Sequence, residues 1–339
     1  MNITYIVGNG LDLQYGLKTK YKDFYEYQNK IYIEKRENDN YSNFIYESLF
    51  DDKVNNYENW SDFEFSIGKL TKENADIISN EESKEKFIDD FADITDDLRS
   101  YLKTIQEGFD CESEAIDFET TLGNMVSDLP NVDQTKITKK FNEFTYEDDN
   151  VNILSLNYTN ILDKLYEKSN IKFYNRIRNN YKFNILKPIH THGTLDACTI
   201  LGVSDTTQLS DDFNEEQRES LVKELSLVAY RENMDARNRK VIETSDIIIL
   251  YGVSLGDTDR YLWNQVATRS INASVPIIIY HYVPNFDAGN PIRVKRQYKK
   301  VEAQFIKSSG IDSEFEKQLR ENLIIVIGKS IFELNNIEE

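Results

Sequence analysis

The chain has 339 residues and a formal net charge of −19, from 40 basic and 59 acidic side chains. So large an excess of negative charge argues against a nucleic-acid backbone or an anionic membrane as the main partner, unless a local basic patch exists. Phe, Trp and Tyr make up 12% of the residues, a proportion that disordered chains lack. We therefore expect a folded, soluble protein that binds neither nucleic acid nor membrane.

The two cysteines, Cys111 and Cys198, are too few for a disulfide framework and lack the spacing of metal ligands. No stretch approaches the ~20 apolar residues that span a bilayer. The N-terminal segment has neither the basic region nor the cleavage site of a signal peptide. These features favour a cytoplasmic protein without a bound metal.

The N-terminal sixteen residues predict a nucleotide-binding α/β domain. The apolar run Asn2–Val7 is typical of a buried strand, and Gly8, Asn9 and Gly10 follow it as a tight turn into a helix. Glycine lets backbone N–H groups approach a ligand, and a helix N-terminus favours a phosphate. Gly16 comes six residues after Gly10, a spacing unlike the dinucleotide fingerprint of hydride-transfer enzymes.

Residues 21–150 have a different character. Aromatic and aliphatic side chains recur there at intervals of three and four among charged residues, which predicts amphipathic helices. We expect a helical insertion over 21–150 that divides an α/β core formed by 1–20 and 151–339. Within it, the run 60–64 allows two interpretations: Ser61 caps a helix, or Glu64 reaches into the functional site.

From Val151 the pattern of strands resumes. A strand at 151–156 places Asn157 at its carboxyl end, and Thr159 is expected to cap the following helix. In open α/β sheets ligands bind beyond the carboxyl ends of the strands. Asn157 therefore either lines a ligand crevice or bonds only to the turn backbone.

Two of the three histidines lie near the end of an expected strand at 185–195. His190 and His192 are separated by one residue, and we do not expect them to share a metal. No Cys or acidic set accompanies them, which argues against zinc. His192, followed by Gly193, is placed for general-base work, whereas a structural role is assigned to His190.

A second glycine-rich turn follows the clearest buried strand, at 246–251. The turn 252–259 enters a helix, and Asp257 or Asp259 would either cap that helix or bond a ribose hydroxyl. Two such turns indicate one crevice lined from both halves of the sheet. Further elements are expected as strands at 199–203, 275–282 and 323–327, a helical pair at 211–243 and a helix at 294–307.

These turns, in this order, resemble the sirtuin-like NAD-binding fold. Residues 8–18 match the sirtuin spacing G-A-G-x-S-x-x-x-G-I-P, although Asp12 stands where sirtuins have serine. Asn157, the His192-Gly193 pair and the turn 252–255 resemble later sirtuin motifs. The resemblance implies a Rossmann-like (sirtuin/DHS-like), mostly parallel α/β sheet, interrupted by a large helical insertion after the first strand.

The chain resembles the bacterial AbiH family of phage abortive-infection proteins more closely. Residues 8–24 follow the family signature G-N-G-F-D and G-L-P-T-x-Y-x-D-F nearly throughout, with Leu11 in place of phenylalanine and Lys18 in place of proline. The runs 60–64, 157–159, 190–193 and 254–259 are also similar to that family. The zinc-binding cysteine module of protein deacetylases is missing, which argues against acetyl-lysine as the substrate.

The resemblance implies an antiphage effector that hydrolyses NAD⁺ at the nicotinamide–ribose bond, with Asn157 and His192 as catalytic residues. NAD would be the substrate or ligand, and no metal is expected. The residues expected to bind it are Gly8, Asn9, Gly10, Asp12, Gly16, Gly252, Ser254, Asp257 and Asp259. The alternative is a non-catalytic module that senses NAD or an ADP-ribose-type nucleotide. A phage-derived trigger and a homo-oligomer are left open.

Overall fold

A computed structural model describes residues 1–39, 41–51, 60–110, 114–144, 148–169, 182–229, 234–330, 332 and 334–336. Its strands are β1 (Asn2–Val7), β2 (Glu114–Ile116), β3 (Asp149–Ser155), β4 (Phe183–Ile185), β5 (Ile189–His190), β6 (Ile247–Tyr251), β7 (Ile277–His281), β8 (Leu323–Ile327) and β9 (Leu334–Asn336).

The helices that precede β3 include the long α5. They are α1 (Gly10–Gln14), α2 (Tyr21–Asp39), α3 (Phe44–Asp51), α4 (Trp60–Glu73), α5 (Glu81–Glu107), α6 (Phe118–Ser127) and α7 (Asn131–Glu143). The helices that follow β3 are α8 (Ile161–Lys168), α9 (Glu215–Leu221), α10 (Lys223–Ala229), α11 (Met234–Glu243), α12 (Arg260–Ala273), α13 (Pro291–Ser309) and α14 (Glu316–Asn322).

Seven strands form one sheet in the order β4-β3-β1-β6-β7-β8, with β5 also paired to β3. Every pairing in this sheet is parallel. All five residues of its central strand β6 are buried, as expected when helices cover both faces of a parallel sheet. The expected α/β class with a mostly parallel sheet is confirmed.

The side chains of β1 alternate between two hydrophobic cores, as the period of a strand requires. Ile3 and Tyr5 face one core, which helices α6, α7 and α8 complete. Ile6 faces the other core, together with apolar residues of α11, α12 and α13. Helices α6 and α7 therefore pack on the sheet, although they belong to the segment expected as an insertion.

Helices α2 to α5 build a third core, rich in aromatic side chains. Tyr21 of α2 stacks on Phe63 of α4 with ring centroids 4.3 Å apart. Helix α4 also packs against a 3₁₀ helix at Asp257–Asp259, beyond the carboxyl end of β6. This contact brings Glu64 of α4 close to the crevice predicted from the sequence.

Three sequence expectations for the second half are wrong. The expected strand at 185–195 is divided into β4 and β5 by residues 186–188, since Pro188 has no N–H to donate to a ladder. In place of a strand at 199–203, the structure has an isolated bridge between Val203 and Val222. The charged segment 211–243 forms the three helices α9, α10 and α11.

Two expected helix caps also differ. The N-cap of α8 is Asn160, and the Thr159 hydroxyl instead donates a hydrogen bond to Asp12, at 2.7 Å. Helix α4 already includes Trp60, so Ser61 lies within its first turn. Among the described helices, none combines the length and the apolar character that a membrane crossing requires.

Candidate functional site

The two glycine turns meet beyond the carboxyl ends of β1 and β6. The Gly8 N–H donates to the Tyr251 carbonyl at 2.9 Å, and the Gly10 N–H donates to the Gly252 carbonyl at 2.8 Å. A Cβ added to Gly10 would lie 2.3 Å from the Gly252 Cα, and Gly252 has a φ of +65°. Glycine is required here because the two backbones touch. Both N–H groups are used within the protein.

The remaining residues of the first turn hold the adjoining loop. The Asn9 side chain donates to the Thr19 carbonyl at 2.9 Å and accepts from the Thr19 hydroxyl at 2.7 Å. Gly16 follows α1 with a φ of +72°, and its N–H donates to the Leu13 carbonyl. A left-handed glycine is a common way to end a helix. Asn9 and Gly16 therefore have structural partners that account for their presence.

Asp12 links the turns that follow β1 and β3. Its buried carboxylate accepts from the Asn157 side-chain amide at 2.9 Å and from the Thr159 hydroxyl at 2.7 Å. Burial raises the pKa of Asp12 to about 6, although the two hydrogen bonds act in the opposite direction. Asp12 and Asn157, both expected in the site, are in direct contact.

His190 is fixed at both ring nitrogens. Nδ1 lies 2.9 Å from the Asn157 carbonyl, and Nε2 lies 2.6 Å from Asp163. Burial lowers the pKa of His190, but the hydrogen bond and charge of Asp163 outweigh it, so the pKa is raised. His190 and Asp163 line a surface cavity of about 260 Å³. These bonds give His190 a structural role, because its ring orients the backbone of Asn157.

His192 faces a second cluster, on the β6 side of the crevice. It follows β5 in a turn and is 3% exposed. Its Nε2 lies 3.1 Å from the Tyr261 hydroxyl and 3.4 Å from an Asp259 carboxylate oxygen. Burial and the charge of Lys223 lower the pKa of His192 to about 4, against the opposing effect of Asp259. The ring is therefore neutral at physiological pH.

Asp259 belongs to a buried ion cluster with two other residues. The Lys223 ammonium donates to Glu64 at 2.7 Å and to Asp259 at 3.0 Å. Side-chain exposure is 2% for Lys223, 3% for Glu64 and 14% for Asp259. The three residues come from α10, α4 and the turn after β6, so the cluster joins both helices to the turn that contains Asp259.

Two carboxylates share one ammonium in this cluster. Burial raises the pKa of Glu64 to about 7, with the charge of Lys223 opposing the shift. Burial also acts to raise the pKa of Asp259, but Lys223 and then His192 lower it, and the net direction is down. The pKa of Lys223 is raised by both carboxylates despite burial. Asp259 thus holds the charge beside His192, while Glu64 exchanges its proton near neutral pH.

Not all of the expected residues converge. The backbone carbonyl of Ser254 accepts from Gln304, and its side chain is exposed. Asp257 lies 3.7 Å from Arg260 on the surface. The structure brings together Asp12 with Asn157, His192 with Asp259, and Gly8 and Gly10 with Gly252. The side chains of Ser254 and Asp257 have no described contact with the Asp12–Asn157 pair or the His192–Asp259 pair.

Sequence reasoning missed Lys223 and Tyr261 and ranked Glu64 second. Lys223 was one charge among many in a segment expected to be regular helix. Helix α9 ends at Leu221, and Val222 is extended (φ −112°, ψ 117°), so the helical register restarts and Lys223 points inward. The apolar pair Leu221 and Val222, directly before Lys223, is the sequence signal that could have indicated its burial.

Within the part of the chain that the structure describes, no group of three or more His, Cys, Asp or Glu side chains is arranged to hold a metal ion. The Glu64–Lys223–Asp259 cluster carries its own cation, the Lys223 ammonium.

Comparison with known proteins identifies a family. The family model described as "Bacteriophage abortive infection AbiH" matches residues 4–281, from β1 through the last residue of β7. Comparison with curated proteins finds no match. The matched span contains both glycine turns, the Asp12–Asn157 pair and the cluster beside His192. Because this span covers most of the 339 residues, the chain belongs to the AbiH family of bacteriophage abortive-infection proteins.

Proposed function

We propose that this AbiH-family protein is an abortive-infection effector that hydrolyses NAD⁺ at the bond between nicotinamide and ribose. The observation that supports it best is the pairing of two glycine turns, at Gly10 and Gly252, with the His192–Asp259 pair on the same side of the sheet. Glycine turns allow a nucleotide to approach the backbone closely, and a histidine beside a carboxylate can accept and release a proton as a general base.

The strand order supports a Rossmann-like, sirtuin-like core. The order β4-β3-β1-β6-β7-β8 corresponds to 3-2-1-4-5-6 when these six strands, without the short β5, are counted along the chain. That is the doubly wound order of dinucleotide-binding sheets, whose ligands lie where the winding reverses. Here the reversal falls between β1 and β6, where the glycine turns meet.

In the proposed reaction, a water oxygen bonds to the anomeric carbon of the ribose as the bond to nicotinamide breaks. The electron pair of the broken bond goes to the ring nitrogen of nicotinamide, and the ribose passes through an oxocarbenium-like state. The water proton goes to His192 Nε2 and then to solvent. The products are nicotinamide, ADP-ribose and one proton.

His192 and Asp259 would act as a pair. In the neutral tautomer that leaves Nε2 unprotonated, Nε2 would carry the lone pair that accepts the proton, and Asp259 at 3.4 Å would stabilise the imidazolium that results. Lys223 positions Asp259 by a hydrogen bond of 3.0 Å. The carboxylates of Glu64 and Asp259 also place negative charge near the cationic ribose of the transition state.

Asn157 would orient the nicotinamide ribose or the attacking water. Its side-chain amide is held by Asp12, and its carbonyl is held by His190, so the residue is fixed from two sides. Gly8 and Gly10 would act through the packing of the two turns, since their N–H groups already donate to Tyr251 and Gly252 and a Cβ on either would meet Gly252. The diphosphate would contact other backbone groups of the paired turns.

The rival function, a non-catalytic nucleotide sensor, is favoured by one observation. His192 is buried, and the Tyr261 hydroxyl lies at the nitrogen that would accept the proton. A catalytic protein must displace Tyr261 before substrate reaches that atom, whereas a sensor need not. A phage-derived trigger that opens the crevice would reconcile this closed arrangement with catalysis.

The test is release of nicotinamide from NAD⁺ by the purified protein, with and without lysate of phage-infected cells. His192→Gln, which keeps an acceptor for Tyr261, should lower the rate about 10²–10⁴-fold, the usual contribution of a positioned base. His281→Gln, at the end of β7, is the matched control and should keep full activity. Equal rates in all three proteins would refute the assignment of His192. NAD⁺ binding without release in any condition would establish the sensor.

A further inference from the structure

Helix α13 is strongly amphipathic and carries a basic outer face. Its N-terminus is well defined, since Asn290 accepts hydrogen bonds from the N–H groups of Ile292 and Arg293, and Pro291 occupies the first turn. Val301 and Phe305 are buried against the sheet. The face opposite to them is open to solvent.

Four cations share that open face: Arg293, Arg296, Lys300 and Lys307. Their spacings of three, four and seven residues place them within an arc of about 60° at 100° per residue. From first to last they extend about 21 Å along the helix, at a rise of 1.5 Å per residue. All four side chains are exposed. We call this row the basic face.

The basic face is not neutralised by neighbouring acids. No ion pair joins any of its four side chains to another described residue. The acidic residue of α13, Glu302, is buried and pairs with Lys299 and Arg320. Because charges more than about 8 Å away are screened at physiological salt, the acidic surface elsewhere does not cancel the local field.

This row is the local basic patch that the net charge of −19 conceals. It also lies beyond residue 281, where the match to the AbiH family model ends. The patch is therefore separate in sequence from the residues of the proposed NAD⁺ site, and its role can be tested without reference to that site.

We infer that the basic face of α13 binds the phosphate backbone of a nucleic acid, independently of base sequence. A single row about 21 Å long matches about six steps of 3.4 Å along one strand. The planar guanidinium groups of Arg293 and Arg296 suit phosphate oxygens, because each can donate two parallel hydrogen bonds. The four cations follow one line along the helix, which suits the linear charge of a nucleic-acid strand better than the planar charge of an anionic membrane.

The experiment measures binding of fluorescein-labelled 24-base-pair DNA, the corresponding single strand and a 24-nucleotide RNA by fluorescence anisotropy, between 50 and 200 mM salt. For four phosphate contacts, log Kobs against log salt should have a slope of about −3.6 on duplex DNA, a loss of about 10²-fold across this range. Comparison of the three probes identifies the form that is preferred.

The decisive variant replaces the four cations by glutamine: R293Q, R296Q, K300Q and K307Q. The control removes the same number of charges from exposed lysines elsewhere: K22Q, K69Q, K139Q and K187Q. We expect the first variant to lose at least tenfold in affinity and most of the salt slope, and the control to stay within about threefold of wild type. Equal urea midpoints for the three proteins would show that folding is unchanged.

Three results would overturn the inference. One is absence of binding by the wild type at 50 mM salt and micromolar protein. Another is a control variant that binds as weakly as the basic-face variant, since the effect would then follow net charge. The last is tighter binding to vesicles with 30% phosphatidylserine than to every nucleic acid, which would assign the face to a membrane. None of these results depends on NAD⁺ turnover.

Discussion

Replacing Lys223 by methionine tests the buried ion cluster directly. The ammonium of Lys223 lies 2.7 Å from Glu64 and 3.0 Å from Asp259, and its side chain is 2% exposed. Methionine preserves much of the volume and removes the charge. Breaking a buried pair by deleting one partner leaves uncompensated charge, which typically costs about 3–5 kcal/mol. We expect a loss of this size in the free energy of unfolding at pH 7.

The loss should depend on pH. Without Lys223, the two carboxylates avoid stranded charge only by binding protons. Each proton taken up costs about 1.4 kcal/mol more for every unit that the pH rises. Lys223→Met should therefore be more damaging at pH 8 than at pH 6. The assay is urea unfolding followed by circular dichroism at both values.

Two controls define the size of the effect. Glu64→Gln leaves Lys223 paired one-to-one with Asp259, and it should cost less than about 1 kcal/mol at pH 7, because glutamine resembles a protonated carboxyl whose pKa is about 7. Lys69→Met breaks an exposed pair with Glu73 and should cost at most about 1 kcal/mol. The reasoning fails if Lys223→Met costs no more than Lys69→Met, or if Glu64→Gln equals it.

Three further predictions concern the crevice. Gly252→Ala should lower stability by more than about 3 kcal/mol or prevent folding, because the added Cβ would lie 2.7 Å from backbone and the φ of Gly252 is positive. The control Gly123→Ala, in open space within α6, should stabilise the protein by about 0.5–1 kcal/mol. Thermal unfolding of the two variants tests this difference. Because the pKa of His192 is lowered from 6.5 to about 4, its contribution to stability is present above pH 6.5 and is lost as the pH falls toward 4. This loss amounts to about 3 kcal/mol. His192→Gln should lack it when urea midpoints are compared at pH 7 and pH 4. Thr159→Val removes a hydrogen-bond donor to the Asp12 carboxylate and should lower the free energy of unfolding by about 1.5–3 kcal/mol at pH 8. The loss should be smaller at pH 5, which is below the Asp12 pKa of about 6. Equal losses at both pH values in the same urea assay would contradict this prediction.

The strands of the central sheet could be predicted because each reads as a short apolar run with a turn after it. β1, β6 and β8 lie within a residue or so of their expected bounds. The wrongly predicted strands lie between 185 and 203, where burial depends on tertiary contacts more than on a repeating pattern. Pro188 interrupts the ladder there, and Val203 pairs with a residue from another segment.

The site was predictable to a lesser degree. Glycine turns and their order placed Gly10 and Gly252 in one crevice, since strands of a parallel sheet end at the same edge. Lys223 and Glu64 could not be predicted from spacing, because they meet through a contact between residues 159 positions apart. The packing of α4 against the turn that contains Asp259 is a tertiary contact that local sequence does not specify.

The position of β1 has a consequence for how the chain folds during synthesis. Ile3 pairs with Val151 on one side and with Ile247 on the other, so the first strand to be made becomes the centre of the sheet. At about 5–20 residues per second, a ribosome needs roughly 12–50 s to proceed from β1 to β6. Throughout that interval the edge of β1 that will pair with β6 has no partner strand. Docking of α6 and α7 against β1 can cover one of its faces during that interval, but the edge that pairs with β6 stays unpaired until the second half emerges.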